Sequence, residues 1–264
     1  MACIEPGAGA LDYFPCTYGA SRLVFRGPGQ RIARRYCVAL GGAETFGRFV
    51  AEPWPQLLQR ASGRQVLNLG CVNVGIDAYL NAPEILAIAR RADLRLVQVV
   101  GAANLSNRFY TVHGRRNDRF VSETDALRRL FPEIDFTEFN FTRHLVRSLE
   151  RHDPDRFAEV ARHLRQTWVE RMQALLDAIG GPAVLLRIGR LGAPADEPML
   201  VDPGMIAELA PRVAQVVEMR LPARAAPPTD MRYGPFEAAA AAAMPGPAEH
   251  RQVAEALLPL FETV

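Results

Sequence analysis

Lysine is missing from this chain of 264 residues, so all 31 of its basic side chains are arginine. Genome composition alone accounts for such a bias. It still has a chemical consequence, because the planar guanidinium fork suits bidentate contact with carboxylate, phosphate or sulfate. Net charge is nearly missing too. The formal value of +2 gives no overall nucleic-acid signature, and no nucleic-acid partner is expected. No apolar run approaches the ~18 residues that suggest a transmembrane helix, so no membrane partner is expected either. Residues 1–10 lack a basic segment followed by an apolar run, which argues against a secretory signal and for a cytoplasmic protein. The four cysteines (Cys3, Cys16, Cys37 and Cys71) follow no metal spacing and read as free thiols. No histidine pair joins a carboxylate at metal-site spacing. Neither a metal nor a cofactor is expected.

What is present is an apolar fraction of 49%, enough for the core of one α/β domain over residues 1–264. Short apolar runs at residues 36–40, 65–69, 94–100, 183–188 and 213–219 read as buried strands. Several end in glycine, which suits a tight turn. Helical stretches lie between them: 45–60 (despite Pro53 and Pro55), 83–91, 153–179, 202–210 and 248–261. Asp153 is the expected N-cap of the long helix, with Pro154 at its first position and Gly180-Gly181 ending it. The alanine run at 238–243 suits a helical turn or two. This alternation implies a parallel sheet covered on both faces, a three-layer α/β/α sandwich. Residues 1–34 read as a leader packed over the domain, and 102–153 as a cap-like insertion.

Four fragments lie at strand ends and at the last helix start. They are Gly41-Gly42-Ala43-Glu44-Thr45-Phe46-Gly47, Asn68-Leu69-Gly70-Cys71-Val72-Asn73-Val74-Gly75, Gly101-Ala102-Ala103-Asn104, and Met244-Pro245-Gly246-Pro247-Ala248-Glu249-His250-Arg251. In this order they resemble the blocks of the SGNH (GDSL-type) hydrolases over roughly residues 36–262. The chain is also similar to an uncharacterised bacterial family with the same degenerate pattern. The SGNH resemblance implies a five-stranded parallel sheet and a Ser-His-Asp triad. On that register the nucleophilic serine is replaced by Ala43, the histidine by Met244 and the aspartate by Ala241. It also implies an oxyanion hole, with Asn73 or Gly75 in the glycine's role and Asn104 as the side-chain donor. His250 matches the family's second, non-catalytic histidine.

Alanine cannot attack a carbonyl and methionine cannot take a proton, so that triad chemistry is lost. Anion binding survives the loss. Backbone N–H groups around Gly42, Ala43, Asn73 and Gly75, with Asn104, still line a donor-rich pocket. The segment 107–120 follows directly from the third strand and carries Arg108, His113, Arg115 and Arg116 among aromatics. Ligands of open α/β sheets bind beyond the strands' carboxyl ends, so these arginines are candidates for holding an anionic ligand. A solvated loop with its arginines paired to Asp118, Glu123 and Asp125 is the plain alternative. Glu44 and His113 are the candidate acid/base groups. The plain alternatives are a first-turn carboxylate favouring the helix dipole and a loop histidine. His144 with Arg143 is a further candidate for the same cleft.

Three functions follow in order. The first is a group transferase (acyl, sulfo or glycosyl-type) that moves a group from an anionic donor to a carbohydrate or small metabolite. The second is a non-catalytic pseudo-hydrolase that binds a small anionic or sugar ligand. The third is a hydrolase with a displaced nucleophile, Ser106, Cys71 or Thr45.

Overall fold

A computed structural model describes residues 11–192 and 198–262. In chain order the elements are β1 (Cys37–Gly41), α1 (Ala43–Phe46), α2 (Trp54–Ser62), β2 (Val66–Gly70), α3 (Ile76–Leu80), α4 (Pro83–Arg91) and β3 (Leu94–Gln98). There follow β4 (Tyr110–His113), β5 (Arg116–Glu123), α5 (Asp125–Leu130), α6 (Thr142–His152) and α7 (Pro154–Ile179). The chain closes with β6 (Ala183–Arg190), α8 (Pro203–Leu209), β7 (Gln215–Leu221), α9 (Ala238–Ala243) and α10 (Pro247–Leu257).

The main sheet has five strands in the order β2-β1-β3-β6-β7, all parallel. Alternate residues of each strand feed opposite cores, as the pleat requires. Val38, Leu40, Leu67 and Leu69 join a core with α3, α4, α7 and α8. Cys37, Ala39, Val66 and Leu96 join another with Trp54 and Leu58 of α2 and Val253 and Leu257 of α10. The result is the three-layer α/β/α sandwich expected from the alternation of apolar runs. The strand order reverses at β1. The chain first steps outward to β2 and then returns to the other side of β1 at β3. Such a switch point opens a crevice beyond the carboxyl ends of the two diverging strands.

One expected element is corrected. A single helix over 45–60 does not form. Gly47 takes a left-handed φ of 78° and ends α1, and a new helix starts at Trp54 with Pro53 as its N-cap and Pro55 in its first turn. Proline lacks the N–H that a helix interior needs, so it is accommodated only where that donor is already unused. The long helix keeps its expected caps. Asp153 accepts the Arg156 N–H at 2.9 Å, and Gly180 closes the other end.

Between β3 and α7 the chain builds an antiparallel hairpin, β4–β5, followed by α5 and α6. Residues 11–34 lie against the first turn of the sandwich. Arg26 donates to the carbonyls of Gly47, Val50 and Ala51 at 2.7, 2.9 and 2.6 Å.

Candidate functional site

The switch point is built around one side chain, Gln98, the last residue of β3. It is 5% exposed. Its Oε1 accepts from the Gly42 N–H (3.0 Å), the Thr45 N–H (3.2 Å) and the Thr45 hydroxyl (2.6 Å). Its Nε2 donates to Glu44 Oε2 at 2.8 Å. One amide thus fixes the turn after β1 and aims Glu44. Gly41 is required beneath it, because a Cβ there would lie 2.3 Å from Thr45 Oγ1 and 2.5 Å from Gln98 Oε1. Sequence reasoning took Gln98 only as part of a strand. The available signal was a lone amide near the end of an apolar run.

Beyond these strand ends opens a cleft of about 440 Å³. Ala43, Glu44, Asn73, Asn104, Asp118 and Arg143 line it, together with Arg190 and Met244. Three donors are left over here. The Ala43 and Asn73 N–H groups meet no acceptor among the described residues. Asn104 gives its Oδ1 to the Thr142 hydroxyl at 2.6 Å, which leaves its Nδ2 as the end without an acceptor. Asn73 and Gly75 differ in this respect. The Gly75 N–H is spent on Asn117 Oδ1 at 2.7 Å, and a Cβ at Gly75 would sit 2.0 Å from the Asn104 carbonyl oxygen. Asn73 adopts a left-handed φ of 66° and lines the cleft.

No histidine lines this cleft among the described residues. Met244 stands at its edge. Its carbonyl is held by Arg190 (2.9 Å) and Arg224 (2.8 Å), so the last loop is tied down. Asp118 was foreseen only as a partner for arginines. Here one of its oxygens is buried without a hydrogen-bond partner. Burial pushes its carboxyl above the usual range, against the opposing pull of Arg116 and Arg119.

The segment 107–120 does not come to this cleft as a unit. His113, Arg115 and Arg116 lie at the β4–β5 turn and line a separate cavity of about 480 Å³ with Arg22, Cys71 and Asn73. His113 Nδ1 accepts the N–H groups of Arg115 (3.2 Å) and Arg116 (3.3 Å). Arg108 precedes the hairpin. Its N–H donates to His163 of α7 and its guanidinium lies over the Phe109 ring, and it lines none of these cavities. In place of these arginines the cleft has Arg190 of β6 and Arg143 of α6. Arg143 shares with Asn104 and Asp118 the wall of an adjoining groove of about 890 Å³ that also includes His144.

None of Thr45, Ser106 and Cys71 lines the cleft. Thr45 is fully buried and its hydroxyl is committed to Gln98. Ser106 Oγ accepts the Val112 N–H at 3.1 Å, and the residue does not line the cleft. Cys71 is buried, and burial pushes its thiol up to about 11, which suppresses the reactive thiolate. His250 is 1% exposed and accepts the Trp54 N–H at 3.0 Å, a structural use. Among the described residues no group of three or more histidine, cysteine or acidic side chains is placed to hold a metal ion. No helix there is long and apolar enough to cross a membrane.

The chain belongs to the family described as a domain of unknown function (DUF6473), whose profile matches residues 1–264. No curated protein matches it. Solved structures give loose likenesses. A lipase, Lip_vut3, from a goat rumen metagenome is 14% identical with a TM-score of 0.40, over 84% of this chain and 95% of the lipase. A carbohydrate esterase is 10% identical with a TM-score of 0.42, over 91% and 72%. The salicylyl-acyltransferase SsfX3 from a tetracycline biosynthetic pathway is 16% identical with a TM-score of 0.35, over 88% and 57%.

Proposed function

We propose that the chain is a remodelled relative of the SGNH hydrolases that binds an anionic donor in the cleft and transfers a group from it without a covalent enzyme intermediate. The observation that carries this reading is the set of unspent donors. Ala43, Asn73 and Asn104, which carry the unspent N–H and Nδ2 donors, line one cavity in which the expected nucleophile is a methyl group. Such donors suit an oxygen that gains charge during the reaction. Glu44 supplies the base. Gln98 holds its Oε2, so Oε1 is the oxygen left for an acceptor.

The acceptor hydroxyl oxygen attacks the electrophilic atom of the donor. Its proton passes to Glu44 Oε1. The bond to the leaving group breaks with the electron pair going to that group, and the proton on Glu44 returns to it or to water. Base assistance of this kind contributes about 10²–10⁴-fold. Glu44→Gln is therefore expected to lower the turnover of a responsive donor by that order while leaving its dissociation constant within a few-fold. A donor that turns over equally well with Glu44→Gln removes the base role.

A second reading is favoured by one observation. Gln98 already occupies the Gly42 and Thr45 amides, and no histidine lines the cleft. On this reading the cleft only binds its anionic or sugar ligand. Stable binding with no product over many hours, in wild type and Glu44→Gln alike, selects it.

A further inference from the structure

The cleft continues onto α6, where an unused cationic surface lies. Arg143, Arg147 and Arg151 recur every four residues, so they stand in one row up the helix, while Leu145, Val146 and Leu149 turn into the core. Eight residues of helix rise about 12 Å. All three arginines line the groove of about 890 Å³, and Arg143 also lines the cleft. None of the three forms an ion pair among the described residues. Arg151 donates only to the Arg147 carbonyl (3.1 Å) and the Ser148 hydroxyl (3.2 Å). Arginines elsewhere are often neutralised: Arg48 by Glu237, Arg128 by Glu123, Arg156 by Glu133 and Arg212 by Asp177. Glu150 is the one carboxylate that α6 contributes to the groove wall.

We propose that this row binds the anionic tail of the donor, a tail with two or more phosphate or sulfate groups. The proposal rests on the cleft being the donor site. A lone anion needs one arginine fork, whereas a row one helical turn apart matches charges that follow one another along a chain. On transfer, the bond that breaks joins the moving group to this tail. The tail leaves with the bonding electron pair and stays on the arginines, while the acceptor's proton goes to Glu44.

The test is calorimetric titration at constant ionic strength with inorganic tripolyphosphate and orthophosphate. The proteins are wild type, Arg147→Gln/Arg151→Gln, and Arg115→Gln/Arg116→Gln on the separate cavity. Tripolyphosphate is expected to bind wild type at least about tenfold tighter than orthophosphate. The α6 double variant is expected to lose about tenfold or more of that affinity, and the hairpin variant to lose little. Equal affinity for the two anions overturns the proposal, and so does an equal loss in the two double variants. Both anions bind without the cleft chemistry, so this result is independent of the donor reading. If tripolyphosphate follows Arg147 and Arg151 while no donor responds to a change at Asn104, the groove stands and the cleft reading falls.

Discussion

Ala43→Ser would place a hydroxyl after β1, but no imidazole stands beside it to complete a serine–histidine pair. Met244 is thioether, and the cleft has no histidine among the described residues. The single variant is expected to show no hydrolysis of a chromogenic acetate ester above background. Robust turnover would mean that a base reaches this position. The place of Ala43 in the turn after β1 was legible in the sequence, because an apolar run ends there in Gly41-Gly42. Gln98 and Asp118 were not legible, since their partners lie far along the chain: Gln98 meets residues 42–45 only once the sheet forms. Gln98→Leu leaves the Gly42 and Thr45 N–H groups and the Thr45 hydroxyl without their acceptor. The expected cost is at least about 2 kcal/mol, read as a lower urea midpoint, and an unchanged midpoint would deny Gln98 its organising role.

His250 gives a second residue-scale expectation. Burial first, then the charge of Arg26, pushes it down to about 3, so it stays neutral in the fold. The unfolded chain takes up a proton below about pH 6.5. Stability from this group is complete above that pH and is lost as pH falls toward the folded value. Between about pH 7 and pH 5 the loss is roughly 2 kcal/mol. His250→Gln keeps an acceptor for the Trp54 N–H, and its urea midpoint is expected to fall less over that interval. Parallel curves for the two proteins would contradict the assignment.

At the scale of elements, what was legible followed from caps and periodicity. The helix after Asp153 starts and stops where its cap residue, proline and glycine place it. Asp153→Ala is expected to cost about 1 kcal/mol through the lost cap, measured by urea unfolding. No change would mean that Pro154 alone fixes the helix start. Pro53 and Pro55 divide the run at 45–60, and the left-handed turn at Gly47 leaves no signal apart from the glycine itself. The hairpin β4–β5 was hidden for another reason. Its register shifts twice, between Thr111 and Val112 and between Val112 and His113, so strict alternation is absent from its sequence. Reading 107–120 as one segment then grouped arginines that the turn carries to different surfaces. The arginines that line the cleft come instead from β6 (Arg190) and from α6 (Arg143), whose first residue, Thr142, donates to Asn104 Oδ1.

At the scale of the molecule, the parallel sheet was legible because β1, β2 and β3 are almost wholly buried and largely apolar. The strand order that creates the crevice was not contained in any local pattern. It depends on the return of β3 to the far side of β1, which the helices on either face permit. Placement of the candidate site follows from that order. The turn after β1, the end of β3 and the start of α6 converge at the switch point, and the unspent donors gather there.

The most direct measurement is the thermal unfolding of wild type and Asn104→Asp with acyl-coenzyme A, a sulfonucleotide and nucleotide sugars, with free phosphate and sulfate as controls. Asn104→Asp keeps the acceptor for Thr142 but replaces the Nδ2 donor with negative charge. One donor class, at about 100 times its dissociation constant, is expected to stabilise wild type by roughly 2.7 kcal/mol and to lose that effect in Asn104→Asp. The absence of a shift with every donor, or a shift of equal size in both proteins, would contradict an anionic donor held by this cleft.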